Sequence, residues 1–356
     1  MIQTIFSWNF AFNVVLNSFL TFLSMALLVE FFFFLFRIKE ARVKALCRLL
    51  PCIKICTDFF LYDFSIWAFV QGLNPLQAQP GTRLFSIYCN TNLERFYLYL
   101  SAGIQLLLEE GQTFTFADLI LLSVDLLWIK IIVMTALSGS LFHLFKKTLQ
   151  FIHSQQKIAY LIKNAENCLY PIQNPHLLFR LRKNDCHVII SSEIQVPCAI
   201  GLGYNHIIIP EKLVPQLTQD EFEAIIAHEL GHLCWYDSTF RIYNQIIQAF
   251  FWWIPMSWWL NKLELNQEVS CDQFLNKFCI PKIALADAIV KCIRNAKFSF
   301  ENTSMVYFIK QNQEIPRLKM ILNDYENSKS SIFNILCYVL IFGCMLTLLC
   351  GRFWIF

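Results

Sequence analysis

The sequence predicts a mainly α membrane protein, with four transmembrane helices and an α+β domain inserted between the third and the fourth. Three observations carry this. Hydrophobic residues make up 56% of the 356-residue chain and charged residues only 15%, where a soluble domain carries about 25% charged. The mean hydropathy of +0.47 agrees. Long apolar runs flank a stretch, 146–331, of soluble-like composition, and that stretch holds "AHELGH" at 227–232. A net charge of +3, with no basic run interleaved with aromatics, gives no reason to expect nucleic acid as a partner.

The first apolar run, 10–36, exceeds the roughly 20 residues a spanning helix needs. No Lys or Arg precedes it and no small-residue cleavage site follows, so it reads as a span and not as a signal peptide. The second run, 51–70, is weaker because it carries Lys54, Asp58 and Asp63, which would face other helices. The third, 118–145, is long enough despite Asp125 and Lys130, and the fourth, 332–351, is clean.

Cations set the expected orientation. Arg37, Lys39, Arg42, Lys44 and Arg48 lie between the first two runs, and Lys146, Lys147, Lys157 and Lys163 follow the third. The loop 72–117 has only Arg83 and Arg95 against Glu94, Glu109 and Glu110. The positive-inside rule puts the N-terminus outside and both basic clusters inside, which requires the weak second run to cross. The expected domains are a membrane region 1–147 with an external loop 72–117, a cytoplasmic domain 148–331, and a C-terminal transmembrane helix 332–356. The 14 cysteines are scattered and form no CxxC pair, so they read as small apolar residues in a reducing setting.

Within the inserted domain, "HVIISS" (187–192) and "NHIIIP" (205–210) read as short buried strands, and "GLGY" (201–204) as a turn. Thr218 and Glu221 form a T-x-x-E capping box ahead of an apolar run, predicting a helix from about Gln219 into the 240s. On it His228 and His232 are one turn apart and share a face, a spacing at which two imidazoles can bind one zinc at about 2.0–2.1 Å. Glu229 is rotated by about 100°, off the ligand face but within reach of water on the metal, so it is the candidate general base. Gly231 would let a neighbouring segment come close.

A catalytic zinc needs a third protein ligand. "LNQEVSCDQF" (265–274) supplies Glu268 for that role, and Asp272, one turn on, can fix a ligand imidazole. Such an acid pair alone is ordinarily a solvated helix face. Here it follows a hydrophobic segment in a chain with few acids. That segment, 246–261, holds Trp252, Trp253, Trp258 and Trp259 around Pro255. It is too short to span, and reads as an interfacial or re-entrant hairpin, with a buried core hairpin as the alternative.

HELGH, W-x-P in "WWIPMSWW" and E-x-x-x-D in "EVSCD", after "VPCAIGLGYNHIIIPEKL", together resemble the integral-membrane antirepressor peptidases of the BlaR/MecR type. These are zinc gluzincins that in some bacteria signal β-lactam exposure. The resemblance covers most of 1–354 in layout and 196–275 in specific motifs. It implies a gluzincin-like zinc peptidase domain between spans three and four, in a bacterial inner membrane. His228, His232 and Glu268 would bind Zn2+, Glu229 would be the base, and Asp272 the acid behind the ligands. The family often continues H-x-x-R-x-D; here Asp237 is kept but Trp235 stands in place of Arg, and no role carries to that position. Phe356 follows directly on the last apolar run, so the penicillin-binding sensor domain of signalling members, and β-lactam sensing with it, is not expected.

The expected function is zinc-dependent cleavage of a cytoplasmic or membrane-proximal protein, a regulatory repressor among the candidates. The substrate would lie as an added strand near 205–210. A quality-control or processing metalloprotease is the second reading. A non-catalytic membrane sensor or scaffold with a structural zinc is the third. The bilayer and a protein substrate are the expected partners.

Overall fold

The computed structural model describes residues 8–60, 85–90, 95–100, 119–167, 170–201, 203, 205–297 and 317. Helix α1 (Trp8–Phe36) forms because 29 residues pass with Glu30 as their single charge and with neither Gly nor Pro. Helix α2 (Ala41–Phe60) returns beside it. It begins ten residues ahead of the second apolar run, so Arg42, Lys44 and Arg48 are helical and not in a loop. Ala41, Ala45, Leu49 and Cys52, spaced by one turn, give that segment the buried face it needs. Residues 61–70, and the fourth run 332–351, lie outside the described residues.

The expected external loop contains two strands, β1 (Phe85–Asn90) and β2 (Arg95–Leu100). With β3 (Leu119–Asp125) they make an antiparallel sheet in the order β1-β2-β3. This corrects the third predicted span at its start. "LILLSVD" satisfies its backbone across a ladder to β2, where Leu122 faces Leu98, and helix begins only at Leu126. Helix α3 (Leu126–Asn164) then runs 39 residues, about 58 Å at 1.5 Å per residue. It passes the predicted end at 145 and the expected domain boundary, because no Pro and only Gly139 interrupts it. Among the described residues, Ser18–Phe36 and Leu127–Asn164 are the helical stretches long and apolar enough to cross a membrane.

Beyond α3 come β4 (Glu166–Asn167), helix α4 (Pro175–Lys183), β5 (Cys186–Ser191), β6 (Cys198–Ile200) and β7 (Asn205–Pro210). The sheet order is β4-β5-β7-β6, with β7 parallel to β5 and antiparallel to β6. Both predicted strands are present, and between β6 and β7 Gly203 stands at φ +84°; residues 202 and 204 of the expected turn lie outside the described residues. Side chains alternate across β7. Ile207 and Ile209 enter the core that also holds Phe222, Ile226 and Leu230, while Ile208 packs with Ile189, Ile200 and Leu161 of α3. Because β7 is paired on both sides, the substrate edge expected near 205–210 does not exist there; the edge is β6.

Helices α5 (Gln219–Cys234), α6 (Asp237–Phe250), α7 (Ser257–Phe274) and α8 (Lys282–Lys297) complete the domain. The capping box at α5 forms in both directions: Thr218 Oγ1 accepts from the Glu221 N–H (3.4 Å), and the Thr218 N–H donates to Glu221 Oε2 (2.7 Å). Contrary to the prediction, α5 does not run into the 240s. Tyr236 adopts a left-handed conformation at φ +55°, ending one helix and starting the next.

Helices α6 and α7 and the turn around Pro255 form the tryptophan hairpin, and its tip docks on α1, α2 and α3. Trp259 is fully buried and its indole N–H donates to the Arg48 carbonyl at 2.7 Å. The Trp253 indole donates to Ser18 Oγ (3.1 Å) and that of Trp252 to the Ala136 carbonyl (3.0 Å). A Cβ on Gly139 would overlap the Trp252 ring, so glycine is required for this approach. Trp252 and Trp258 stay 36% and 42% exposed. The hairpin is thus buried on one face and exposed on the other.

Candidate metal centre

Helix α5 presents His228 and His232 on one face, as their spacing requires. Their Nε2 atoms are 3.2 Å apart and the rings stand nearly perpendicular, at 84°. Helix α7 crosses this face and brings Glu268 between them, with Oε2 3.3 Å from His228 Nε2 and Oε1 3.6 Å from His232 Nε2. The crossing is close because position 231 has no side chain. A Cβ there would stand 3.1 Å from Cys271 Sγ and 3.4 Å from Cys271 Cα.

Donors at about 2.0–2.1 Å on a tetrahedral cation lie about 3.3–3.4 Å from one another. The three observed separations bracket that value. The outer nitrogens complete the fit. His228 Nδ1 lies 3.0 Å from Asp272 Oδ1, and His232 Nδ1 lies 3.0 Å from Asp237 Oδ2. A ring whose Nδ1–H donates to a carboxylate keeps its Nε2 lone pair for a metal. His228, His232 and Glu268 can therefore hold a divalent metal ion, with zinc suited by two imidazoles and one carboxylate.

Glu229 stands apart from these donors. It is half-buried and lines a cleft of about 210 Å³ together with His228, His232, Glu268 and residues of the β6 edge, Cys198 and Ala199. Burial, and then the Glu229 carboxylate, pushes the Cys198 thiol up to about 12, leaving it an inert wall. The nine cysteines whose side chains are described are all free.

Sequence reasoning missed three contributors. Asp237 orients His232; the family pattern kept this residue, but its role needs the break at Tyr236, which no glycine announced. Arg42 of α2 donates to Asp237 Oδ1 (2.9 Å) and to the Trp235 carbonyl (3.1 Å). Its guanidinium also lies 4.8 Å over the ring of Trp235, the residue that departs from the family's arginine. Arg317 donates through Nε and Nη2 to the two oxygens of Asp272 (2.9 and 2.6 Å), and its Nη1 lies 3.1 Å from Glu268 Oε2. Neither arginine had a local sequence signal.

The electrostatics of the metal-free centre follow from these partners. Burial and Arg317 push the His228 pKa down, but hydrogen bonds with Asp272 and Glu268 outweigh them and raise it to about 9. Burial alone would lift the carboxyl of Glu268; His232 and Arg317 instead hold it well below the usual carboxylate range. Asp272 is lowered against its burial chiefly by Arg317. Glu268 and Asp272 thus stay ionised despite their burial.

Two histidines and a glutamate converging on one point, with a further glutamate beside them on the first helix, define a site of the HExxH…E metallopeptidase type. The family profile described as BlaR1 peptidase M56 matches residues 112–321, and the chain belongs to that family. Over 144 residues it is 28% identical to methicillin resistance mecR1 proteins of Staphylococcus aureus (strain Mu50) and Staphylococcus epidermidis. Those alignments cover 38% of this chain and 24% of each relative, so the chain matches about a quarter of the relatives' length. Family membership and the two long apolar helices mark a membrane-associated protein of the metallopeptidase class.

Proposed function

We propose that the protein is a membrane-bound zinc endopeptidase that hydrolyses a peptide bond of a cytoplasmic or membrane-proximal protein. The observation that carries this reading is the convergence of His228 Nε2, His232 Nε2 and the Glu268 carboxylate at 3.2–3.6 Å. Zinc bound there supplies Lewis-acid polarisation and acidifies water to a pKa of about 7. Asp272 and Asp237 hold the two imidazoles in the tautomer that binds metal. Glu229 takes the proton of the attacking water and delivers it to the leaving amide nitrogen. The substrate backbone adds to the open edge of β6, whose Cys198 and Ala199 line the cleft beside Glu229.

The relatives' names tie them to methicillin resistance, which favours a regulatory target such as a repressor over general quality control. In this reading four spans place the domain in the cytoplasm. The test compares the purified full-length chain with Glu229→Gln, measuring zinc content and cleavage of a proteome-derived peptide library. The variant should keep its zinc and lose about 10²–10⁴-fold in rate. Equal activity in both, or zinc binding without any cleavage, refutes proteolysis at this centre and leaves a sensor or scaffold with a structural metal.

A further inference from the structure

Behind His232 lies a chain of contacts that leaves the peptidase helices altogether. His232 Nδ1 meets Asp237 Oδ2 at 3.0 Å, and the other oxygen of that carboxylate accepts from Arg42 at 2.9 Å. Arg42 belongs to α2, which packs along α1 and α7 rather than on α5. Its three contacts, to Asp237, to the Trp235 carbonyl and to the Trp235 ring, all fall on the elbow at which α5 ends and Tyr236 turns left-handed. The Trp235 carbonyl is one of the groups a helix end leaves without an intrahelical partner. Asp237 is 3% exposed and also meets Gln267 Nε2 at 3.1 Å and Cys271 Sγ at 3.7 Å. Arg42 thus sets a guanidinium directly against the buried carboxylate behind His232. A plain staple between two helices would not need to meet the carboxylate that holds the outer nitrogen of His232.

We infer that Arg42 is a positioning residue of the metal centre, through which the seating of α2 sets the orientation of His232. The inference rests on the reading that His228, His232 and Glu268 bind zinc. It makes metal affinity depend on a helix outside the HExxH…E framework, so that a displacement of α2 loosens the centre without touching a ligand.

The test measures zinc affinity of the full-length chain in detergent micelles, by competition with a chromophoric chelator, so that it does not depend on catalysis. Arg42→Gln and Asp237→Asn should each weaken zinc about 10- to 100-fold, the usual effect of removing a partner behind a ligand. The double variant should be no weaker than Asp237→Asn alone, because Arg42 acts through that carboxylate. Arg42→Lys, which keeps the charge but cannot fork to both acceptors, should fall between wild type and Arg42→Gln, and it serves if Arg42→Gln loses its helical circular dichroism. Wild-type affinity in Arg42→Gln, or losses that multiply in the double variant, would overturn the inference while leaving the zinc reading intact. Equal zinc binding by wild type and Glu268→Ala would instead remove the zinc reading itself.

Discussion

Alanine at position 231 should weaken the metal centre as well as the fold, by two effects that can be read separately. A methyl built there stands 3.1 Å from Cys271 Sγ, 3.3 Å from its Cβ and 3.4 Å from its Cα, where non-bonded carbons prefer about 3.5–4.0 Å. The thiol can swing aside, but the Cβ at 3.3 Å moves only with the backbone, so α7 must give by a few tenths of an ångström. Alanine brings about 0.8–1.0 kcal/mol of helix propensity over glycine. Overpacking costs about 1–3 kcal/mol, so the metal-free protein should lose up to about 2 kcal/mol. The metal tolerates less. Glu268 lies one turn before Cys271 on the same helix, and ligand distances are held within about 0.2 Å. A retreat of α7 carries the carboxylate beyond that tolerance, and zinc affinity should fall by about 10-fold or more. Chelator competition and thermal unfolding of the metal-free chain read the two effects separately. Zinc bound as tightly as in wild type, with a higher melting temperature, would mean that only helix propensity had changed and that the close crossing limits nothing.

Two further outcomes follow from groups already described. His228 has a folded pKa raised from 6.5 to about 9, so its contribution to metal-free stability is complete below about 6.5 and disappears as pH rises through about 9. The melting temperature of the metal-free chain should fall across that window, while zinc affinity rises because a proton must leave His228; a flat melting profile that His228→Ala does not change refutes this. Trp259→Phe should cost about 0.5–1.5 kcal/mol, since it removes the buried indole's hydrogen bond to the Arg48 carbonyl. Unchanged unfolding in detergent would show that the hairpin does not depend on that bond.

What could be read ahead of the structure was whatever one helix fixes by itself. The capping box at Thr218, the shared face of His228 and His232, the offset of Glu229 and the one-turn step from Glu268 to Asp272 all follow from 3.6 residues per turn. For Gly231 the sequence allowed a close approach but named no packing role; the crossing of α7 supplies it. Contacts between distant elements were not legible. Arg42 meets Asp237 across 195 residues and Arg317 meets Asp272 across 45, and no spacing rule reaches that far. Tyr236 breaks its helix without the glycine or proline that would signal a break. The apolar run from 118 misled because strand and helix share its composition, and only the pairing with β2 decides between them.

The uninterrupted length of α3 has a mechanical meaning. About a third of the way along, Gly139 and Ser140 meet the tryptophan hairpin, and near the far end Leu161 lies under Ile189 and Ile208. With no Gly or Pro between Ser140 and Asn164 there is no point at which the rod would preferentially bend. It therefore works as a lever: a tilt of about 5° over the roughly 33 Å from Gly139 to Leu161 displaces the far contact by about 3 Å. The sheet resting on that end must either follow or give up its packing.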